Sequence, residues 1–211
     1  MTWDEYATAW SRLHGGFDPR AANGIVRRWV LTAYTMGSWL GRRRVSPMSV
    51  TTTGLGVCLA VPLAALAGGP GLVLGAALVL LAAVVDGLDG AVAVVTGRVT
   101  RTGFVYDSVA DRLGELAWLA AFWVAGAPGW LIVITGAVSW LHEYVRARAA
   151  AAGMSEIGTV TVGERPTRAL AAGFGLLAAA LGVVWPPVAL WLALQCAGLA
   201  QLSAAVRRAL A

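Results

Sequence analysis

The sequence predicts an all-α integral membrane protein, in which six transmembrane helices follow an N-terminal interfacial amphipathic helix. Of its 211 residues, 58% are hydrophobic and only 13% are charged. The mean hydropathy of +0.71 is too high for a water-soluble domain of this size. The apolar residues also fall in separate runs, each close to the ~20 residues that cross a ~30 Å hydrocarbon core as a helix.

The first 45 residues are expected to form a separate segment at the cytoplasmic membrane surface. Apolar residues such as Ile25, Trp29 and Leu40 alternate there with arginines at near-helical spacing. This pattern predicts an interfacial amphipathic helix over residues 22–41. The segment lacks the short apolar core of a cleavable signal peptide, so we expect none.

Residues 46–211 are expected to form the transmembrane domain. Ser46 and Pro47 open its first span, because proline is well tolerated in the first turn of a helix. Prolines at or near the starts of four later spans support the same boundaries. The six predicted spans are 48–67, 71–95, 103–126, 130–150, 167–184 and 187–206.

The placement of arginine predicts the topology. All sixteen basic residues are arginine, and apart from Arg112 they lie before the first span, at alternate connections or after the last span. The connections 67–71, 126–129 and 185–187 carry no charge. By the positive-inside rule, both termini and the arginine-bearing connections are expected on the cytoplasmic side of the cell (inner) membrane.

The basic residues form a belt at helix ends and do not form a patch interleaved with aromatic residues. This arrangement argues against a nucleic-acid partner. Anionic membrane lipids and a small phosphorylated substrate are the partners that it favours.

Four aspartates, Asp86, Asp89, Asp107 and Asp111, lie within 26 residues of one another. Each carboxylate would cost on the order of 3 kcal/mol at a helix centre in lipid, so a use for all four is expected. The first two are three residues apart and the last two are four apart, so each pair shares a helix face. The connection at 97–103 reverses the chain, and we expect the two faces to converge.

Such a carboxylate cluster requires compensation, because neighbouring like charges raise one another's pKa. An all-oxygen ligand set favours Mg²⁺, Mn²⁺ or Ca²⁺ over zinc, and two ions are plausible with four carboxylates. Structural ion pairs with Arg98, Arg101 and Arg112 are the alternative interpretation.

This pattern resembles the signature of the CDP-alcohol phosphotransferase family. The signature is Asp, two residues, Asp-Gly, two residues, Ala-Arg, eight residues, Gly, three residues, Asp, three residues, Asp. Seven of its eight fixed positions match, with the spacing kept: Asp86, Asp89, Gly90, Ala93, Gly103, Asp107 and Asp111. The departure is Val94, which stands where the family has arginine. The resemblance extends over residues 46–206.

The resemblance implies a divalent-metal-dependent enzyme of phospholipid biosynthesis. Such an enzyme moves a substituted phosphate, here a phosphatidyl group, from a CDP-alcohol such as CDP-diacylglycerol to an acceptor hydroxyl and releases CMP. It also implies two Mg²⁺ or Mn²⁺ ions held by Asp86, Asp89, Asp107 and Asp111, with Asp111 as the general base. Physical chemistry is compatible with these roles, because cations stabilise charge on the transferred phosphoryl group and a carboxylate can accept the acceptor's proton.

The nucleotide of the donor is expected to contact Gly90, Ala93, Arg98 and Gly103. Glycines at these positions leave room for close approach. Arg98 lies four residues after Val94, on the same predicted helix face, and could supply the missing positive charge.

Glu164 to Arg168 resembles the stretch that helps bind the acceptor's phosphate in family members of the phosphatidylinositol-phosphate synthase and phosphatidylglycerophosphate synthase type. Arg146, Arg165 and Arg168 are therefore expected to bind a phosphorylated polyol, since guanidinium groups match phosphate oxygens. The alternative is that these arginines reach lipid headgroups. A homodimer is also expected.

Two further functional classes stay open at this level. A divalent-cation channel or transporter would use the aspartates as an ion site. A catalytically lapsed CDP-lipid binder is suggested by Val94.

Overall fold

The computed structural model describes residues 1–13, 15–154 and 161–210. Every regular element in these ranges is an α-helix, and they contain no strand, which confirms the predicted all-α class. Eight helices follow one another: α1 (Trp3–Leu13), α2 (Gly24–Arg42), α3 (Pro47–Ala65), α4 (Gly68–Thr96), α5 (Arg101–Val124), α6 (Gly129–Ala151), α7 (Arg165–Ala180) and α8 (Trp185–Leu210).

The six apolar runs of the sequence coincide with α3 to α8. Within the described ranges, three of these helices, α3, α4 and α8, are long and apolar enough to cross a membrane. Helix α5 carries Asp107, Asp111, Arg112 and Glu115, and α7 has 16 residues. At 1.5 Å per residue, α7 is about 24 Å long, which is shorter than a ~30 Å hydrocarbon core. The arrangement of six spans therefore stays a prediction.

Side-chain caps and proline define several helix starts. The Ser46 hydroxyl accepts a hydrogen bond from the Ser49 N–H at 3.1 Å, immediately before Pro47 opens α3. The Thr100 hydroxyl accepts one from the Gly103 N–H at 3.0 Å and caps α5. These bonds satisfy backbone donors that have no partner within the first helical turn.

Helix α2 covers nearly the same residues as the helix predicted at 22–41, whereas its position at the membrane surface stays a prediction. Its N-cap is Asn23, whose side chain accepts a hydrogen bond from the Val26 N–H at 3.0 Å. One face of α2 is buried, and Gly37 on that face packs directly against the backbone of Ala91 on α4. Large apolar residues such as Trp39 are exposed elsewhere on the helix.

Helix α1 is absent from the sequence prediction, although a local signal for it exists. Thr2 and Glu5 form a reciprocal capping box, with the Thr2 N–H donating to Glu5 Oε2 at 2.7 Å and the Glu5 N–H donating to Thr2 Oγ1 at 3.3 Å. The buried Tyr6 packs against Trp3 and Tyr34, with ring centroids 6.0 and 5.2 Å away. Burial raises the pKa of Tyr6 to about 12.

The helices form two compact units. Unit 1 comprises Met1–Gly54 and Val84–Ala110, and unit 2 comprises Leu55–Ala83 and Asp111–Ala211. The core of unit 1 joins α1 and α2 to apolar residues of α3 and α4: Tyr6, Val30, Ala33, Val50, Leu88, Ala91, Val92 and Val94. The core of unit 2 is larger and includes the buried aromatic residues Trp118, Phe122 and Trp191.

Candidate active site

Three of the four predicted aspartates meet in unit 1. Asp86 and Asp89 of α4 and Asp107 of α5 each offer a carboxylate oxygen, and these oxygens lie within 4.8 Å of one another. Asp89 is buried, whereas Asp86 and Asp107 are half-buried. The two helix faces therefore converge as the spacing predicts, and we call Asp86, Asp89 and Asp107 the aspartate triad.

Two hydrogen bonds hold the carboxylate of Asp89. One of its carboxylate oxygens accepts a hydrogen bond from Thr51 Oγ1 at 2.5 Å, and the other accepts one from the Gly90 N–H at 2.5 Å. Thr51 lies on α3 and is itself buried. The sequence reading did not select Thr51, because it is one of three consecutive threonines and no local signal distinguishes it.

The donor set of the triad fits a hard divalent cation. Three carboxylates that are close together and partly removed from water repel one another unless a cation lies between them. All the available ligand atoms are oxygen, which suits Mg²⁺ or Mn²⁺. The aspartate triad could therefore hold a divalent metal ion, as the sequence predicts.

The predicted nucleotide-binding residues lie near the ends of α4 and α5. Gly90 is exposed on α4, and a Cβ built there would meet no atom within 4 Å. Ala93 is half-buried one turn further along α4, and Gly103 lies in the first turn of α5. Gly90 therefore leaves an open surface beside Asp89.

Arg98 does not share a helix face with Val94, contrary to the sequence expectation. Helix α4 ends at Thr96, and Gly97 has a φ of 65°, which turns the chain out of the helix. The Arg98 N–H donates to the Ala93 carbonyl at 2.9 Å, and its side chain lies in an exposed connection. The left-handed conformation at Gly97 is the physical reason for the difference.

Val94 itself is 6% exposed and belongs to the apolar core of unit 1. It packs in the same cluster as Tyr6 of α1 and Val30 of α2. An arginine at this position would bring a charge into that core. The core of unit 1 thus accounts for a valine where the family signature has arginine.

Asp111 belongs to unit 2 and is held by arginines. Its carboxylate forms an ion pair with Arg165, the first residue of α7, and lies 3.8 Å from Arg112 Nη2. Asp111 and Arg165 are both half-buried. Arg165, which the sequence assigns to the acceptor's phosphate, is thus beside the predicted general base.

Arg146 and Arg168 occupy different environments in the same unit. Arg146 is half-buried at the end of α6 and forms an ion pair with Glu164. Arg168 is 0% exposed, and its guanidinium donates to Glu115, to Glu143 and to the Gly163 carbonyl. The structure thus surrounds Arg168 with protein oxygens, whereas Arg146 and Arg165 retain access to solvent.

The turn at residues 161–164, just before α7, is held from both sides. The Thr161 N–H donates to Glu164 Oε1 at 3.0 Å, and the Thr161 hydroxyl contacts Nε2 of the buried His142 at 3.0 Å. From α8, Gln195 Nε2 donates to the Gly163 carbonyl at 3.2 Å. His142 is 19 residues from Thr161, and Gln195 is 32 residues from Gly163, so the sequence alone did not reveal these two contacts.

A model of the CDP-alcohol phosphatidyltransferase family matches residues 45–199. The phosphatidylinositol phosphate synthase of Mycobacteroides abscessus is 33% identical over 180 residues, which cover 80% of each chain. The archaetidylinositol phosphate synthase of Aeropyrum pernix is 31% identical over 144 residues, which cover 66% of this chain and 70% of the relative.

Two crystal structures of phosphatidylinositol phosphate synthase from Mycobacterium tuberculosis have similar folds. The structure in complex with manganese and citrate has a TM-score of 0.67 and 27% identity, and the match covers 83% of this chain and 88% of that one. The structure with CDP-DAG bound has a TM-score of 0.65 and 26% identity, with 84% and 92% covered. With the aspartate signature, these matches show that the chain belongs to the CDP-alcohol phosphatidyltransferase family and is a transferase of phospholipid biosynthesis.

Proposed function

We propose that the enzyme transfers a phosphatidyl group from CDP-diacylglycerol to a hydroxyl of a phosphorylated polyol and releases CMP. The observation that carries the proposal is the aspartate triad, which lies within the region matched by the family model. An inositol phosphate is the acceptor class that the names of the relatives indicate. A similar protein binds CDP-DAG, which supports this donor.

Asp86, Asp89 and Asp107 would hold Mg²⁺ or Mn²⁺. A bound divalent cation would neutralise the diphosphate of the donor and stabilise charge on the transferred phosphoryl group. Manganese in a similar structure supports this assignment. Thr51 fixes the orientation of Asp89, which prepares the triad for a ligand.

Asp111 is proposed as the general base. A hydroxyl of the acceptor attacks the phosphorus that carries the diacylglycerol, the bond from that phosphorus to CMP breaks, and the hydroxyl proton passes to the Asp111 carboxylate. Asp111 follows Asp107 by one turn of α5. Arg165 and Arg112 lie beside this carboxylate and would hold it in place.

Gly90, Ala93, Arg98 and Gly103 are proposed to contact the nucleotide. The open surface at Gly90 allows a ligand to approach the backbone of α4. Arg98 would reach the donor from the exposed connection between α4 and α5, because it lies outside the helix.

The acceptor's phosphate is proposed to bind Arg146 and Arg165. Both guanidinium groups are half-buried and retain access to a small ligand; Arg146 forms ion pairs with Glu164 and Glu143, and Arg165 forms one with Asp111. Guanidinium groups can form two parallel bonds to phosphate oxygens. Arg168 is fully buried, so its contribution to this pocket would be indirect.

In the membrane, α3 to α8 are proposed to form six spans of a catalytic domain over residues 46–211. Residues 1–45 would lie at the cytoplasmic surface, where the exposed Ile25, Trp29 and Trp39 of α2 can enter the lipid interface. The enzyme would lie in the inner membrane, with both termini and the active site facing the cytoplasm. Helices rich in glycine and alanine allow a homodimer.

The proposal is tested with purified protein in lipid nanodiscs that contain CDP-diacylglycerol. With Mn²⁺ or Mg²⁺, CMP release should require a phosphorylated polyol such as inositol phosphate, and mass spectrometry should detect the matching phosphatidyl product. Unphosphorylated inositol is the matched control and should give little product. Equal turnover with both acceptors would contradict the phosphate pocket, and no CMP release from CDP-diacylglycerol with any acceptor would contradict the transfer itself.

A further inference from the structure

Arg168 has the environment of an anchor inside unit 2. Its side chain is 0% exposed, and the groups that accept its hydrogen bonds lie in three parts of the unit. Nη1 donates to Glu115 of α5 at 2.7 Å, Nη2 donates to Glu143 of α6, and Nε donates to the Gly163 carbonyl at 2.8 Å. A buried guanidinium requires such partners, because it has lost its hydration.

The bond to Gly163 connects Arg168 with the turn at residues 161–164. A Cβ built on Gly198 of α8 would lie 2.7 Å from the Gly163 nitrogen, so the turn lies directly against that helix. The Val162 N–H donates to Gln201 Oε1 of α8 at 2.9 Å. Arg168 therefore holds one side of a turn whose other side rests on α8.

The two arginines of the proposed acceptor pocket depend on this turn. Glu164 forms the ion pair with Arg146, and Arg165 follows it as the first residue of α7. A displacement of Gly163 would move the backbone of Glu164 and Arg165 with it. The positions of both accessible guanidinium groups are thus linked to the bond between Arg168 and Gly163.

We infer that Arg168 is a positioning residue for the acceptor, which fixes the 161–164 turn so that Arg146 and Arg165 can bind one phosphate together. This inference rests on the proposed function. It assigns Arg168 no contact with the substrate. Misplacement of a binding group by about 1 Å can reduce turnover by up to ~10²-fold, so a residue of this kind affects the reaction strongly.

The test separates positioning from folding. Arg168→Met alone leaves Glu115 and Glu143 without one partner and is expected to lower the thermal midpoint. In Arg168→Met/Glu115→Met, the buried pair becomes apolar, while Arg112 still lies 3.3 Å from Glu143. Replacement of a buried ion pair by apolar residues of similar volume commonly keeps or restores stability.

For the double variant, we expect a thermal midpoint near that of the wild type but a KM for inositol phosphate raised by about tenfold or more. The KM for CDP-diacylglycerol should stay within about twofold, because the triad in unit 1 is untouched. Arg148→Met, at an exposed position of α6, is the matched control and should change neither KM. A double variant with the acceptor KM of the wild type would overturn the inference.

Arg168→Lys decides the question if the methionine variants do not fold. A lysine keeps the charge but lacks the rigid fork that reaches three partners. The acceptor KM should again rise, and an unchanged value would overturn the inference. Hydrogen–deuterium exchange adds a readout that needs no turnover: exchange at residues 161–165 should accelerate in the variants. If the wild type lacks acceptor-dependent CMP release, the proposed function fails, whereas unchanged exchange in the variants rejects the anchoring role.

Discussion

The hydroxyl of Thr51 on α3 donates a hydrogen bond of 2.5 Å to the carboxylate of Asp89 on α4, 38 residues later in the sequence. The bond orients one ligand of the aspartate triad from a helix that supplies no carboxylate to it. Outer partners of this kind stabilise metal sites because they hold the ligands in their binding orientation. Thr51 is thus part of the site although it is not an expected ligand.

Thr51→Val should weaken Mn²⁺ binding by about tenfold, because it removes the donor that orients Asp89. Electron paramagnetic resonance of free Mn²⁺, titrated with purified protein, measures the affinity without substrate. Thr53→Val is the matched control, since the Thr53 hydroxyl bonds only to the Ser49 carbonyl of its own helix among the contacts described. Equal affinities in the two variants would show that Asp89 does not depend on Thr51.

Asp111→Asn should lower kcat by about 10²-fold or more, because an amide cannot accept the acceptor's proton. Mn²⁺ affinity should largely persist, because Asp86, Asp89 and Asp107 stay in place. Asp107→Asn provides the contrast and should lose metal affinity together with activity. An active Asp111→Asn enzyme would exclude this aspartate as the base.

Val94→Arg restores the residue of the family signature but should destabilise the protein. Val94 is 6% exposed in an apolar cluster, and an unpaired buried charge lowers the free energy of unfolding by about 3 kcal/mol or more. A reduced thermal midpoint in nanodiscs would record this change. Val99→Arg, in the exposed connection after α4, should leave the midpoint unchanged. A stable Val94→Arg enzyme with a lower KM for the donor would show that this position can still face the nucleotide.

Gly198→Ala should displace the turn that precedes α7. The added methyl group would lie 2.7 Å from the Gly163 nitrogen, and overpacking of this kind costs about 1–3 kcal/mol. We expect a lower thermal midpoint and a raised KM for the acceptor. Gly56→Ala on α3 is the control, because a Cβ there would meet no atom within 4 Å. Wild-type kinetics in Gly198→Ala would mean that the turn can move without consequence for binding.

The sequence was sufficient to predict the parts of the fold that depend on local pattern. Runs of apolar residues located α3 to α8, and the alternation of arginine and apolar residues located α2. The spacing of Asp86, Asp89 and Asp107 predicted their convergence. Residues three apart share a face of a helix, and a short connection brings the start of the next helix close to that face. Helix α1 was not predicted, because it has only 11 residues and its capping box is a weak local signal.

The rest of the site depends on how distant helices pack. Glu115 and Arg168 are 53 residues apart and form an ion pair in which both side chains are buried, although an apolar sequence context gives no sign of their pairing. The same holds for Thr51 and Asp89. Arg98 was expected to lie on α4, but the helix ends two residues earlier, at Thr96. The conformation of a single residue, Gly97, decides where the helix ends.

The packing of the 161–164 turn against α8 also has a consequence for the biogenesis of the protein. The Gly163 carbonyl and the Val162 N–H receive their partners from residues 32 and 39 positions further along the chain. During synthesis, the ribosome therefore completes α5, α6 and the arginines of α7 before the helix that fixes the turn exists. The turn, and with it the start of α7, can reach its final geometry only after α8 has been made and has packed, well after the aspartate triad has been translated.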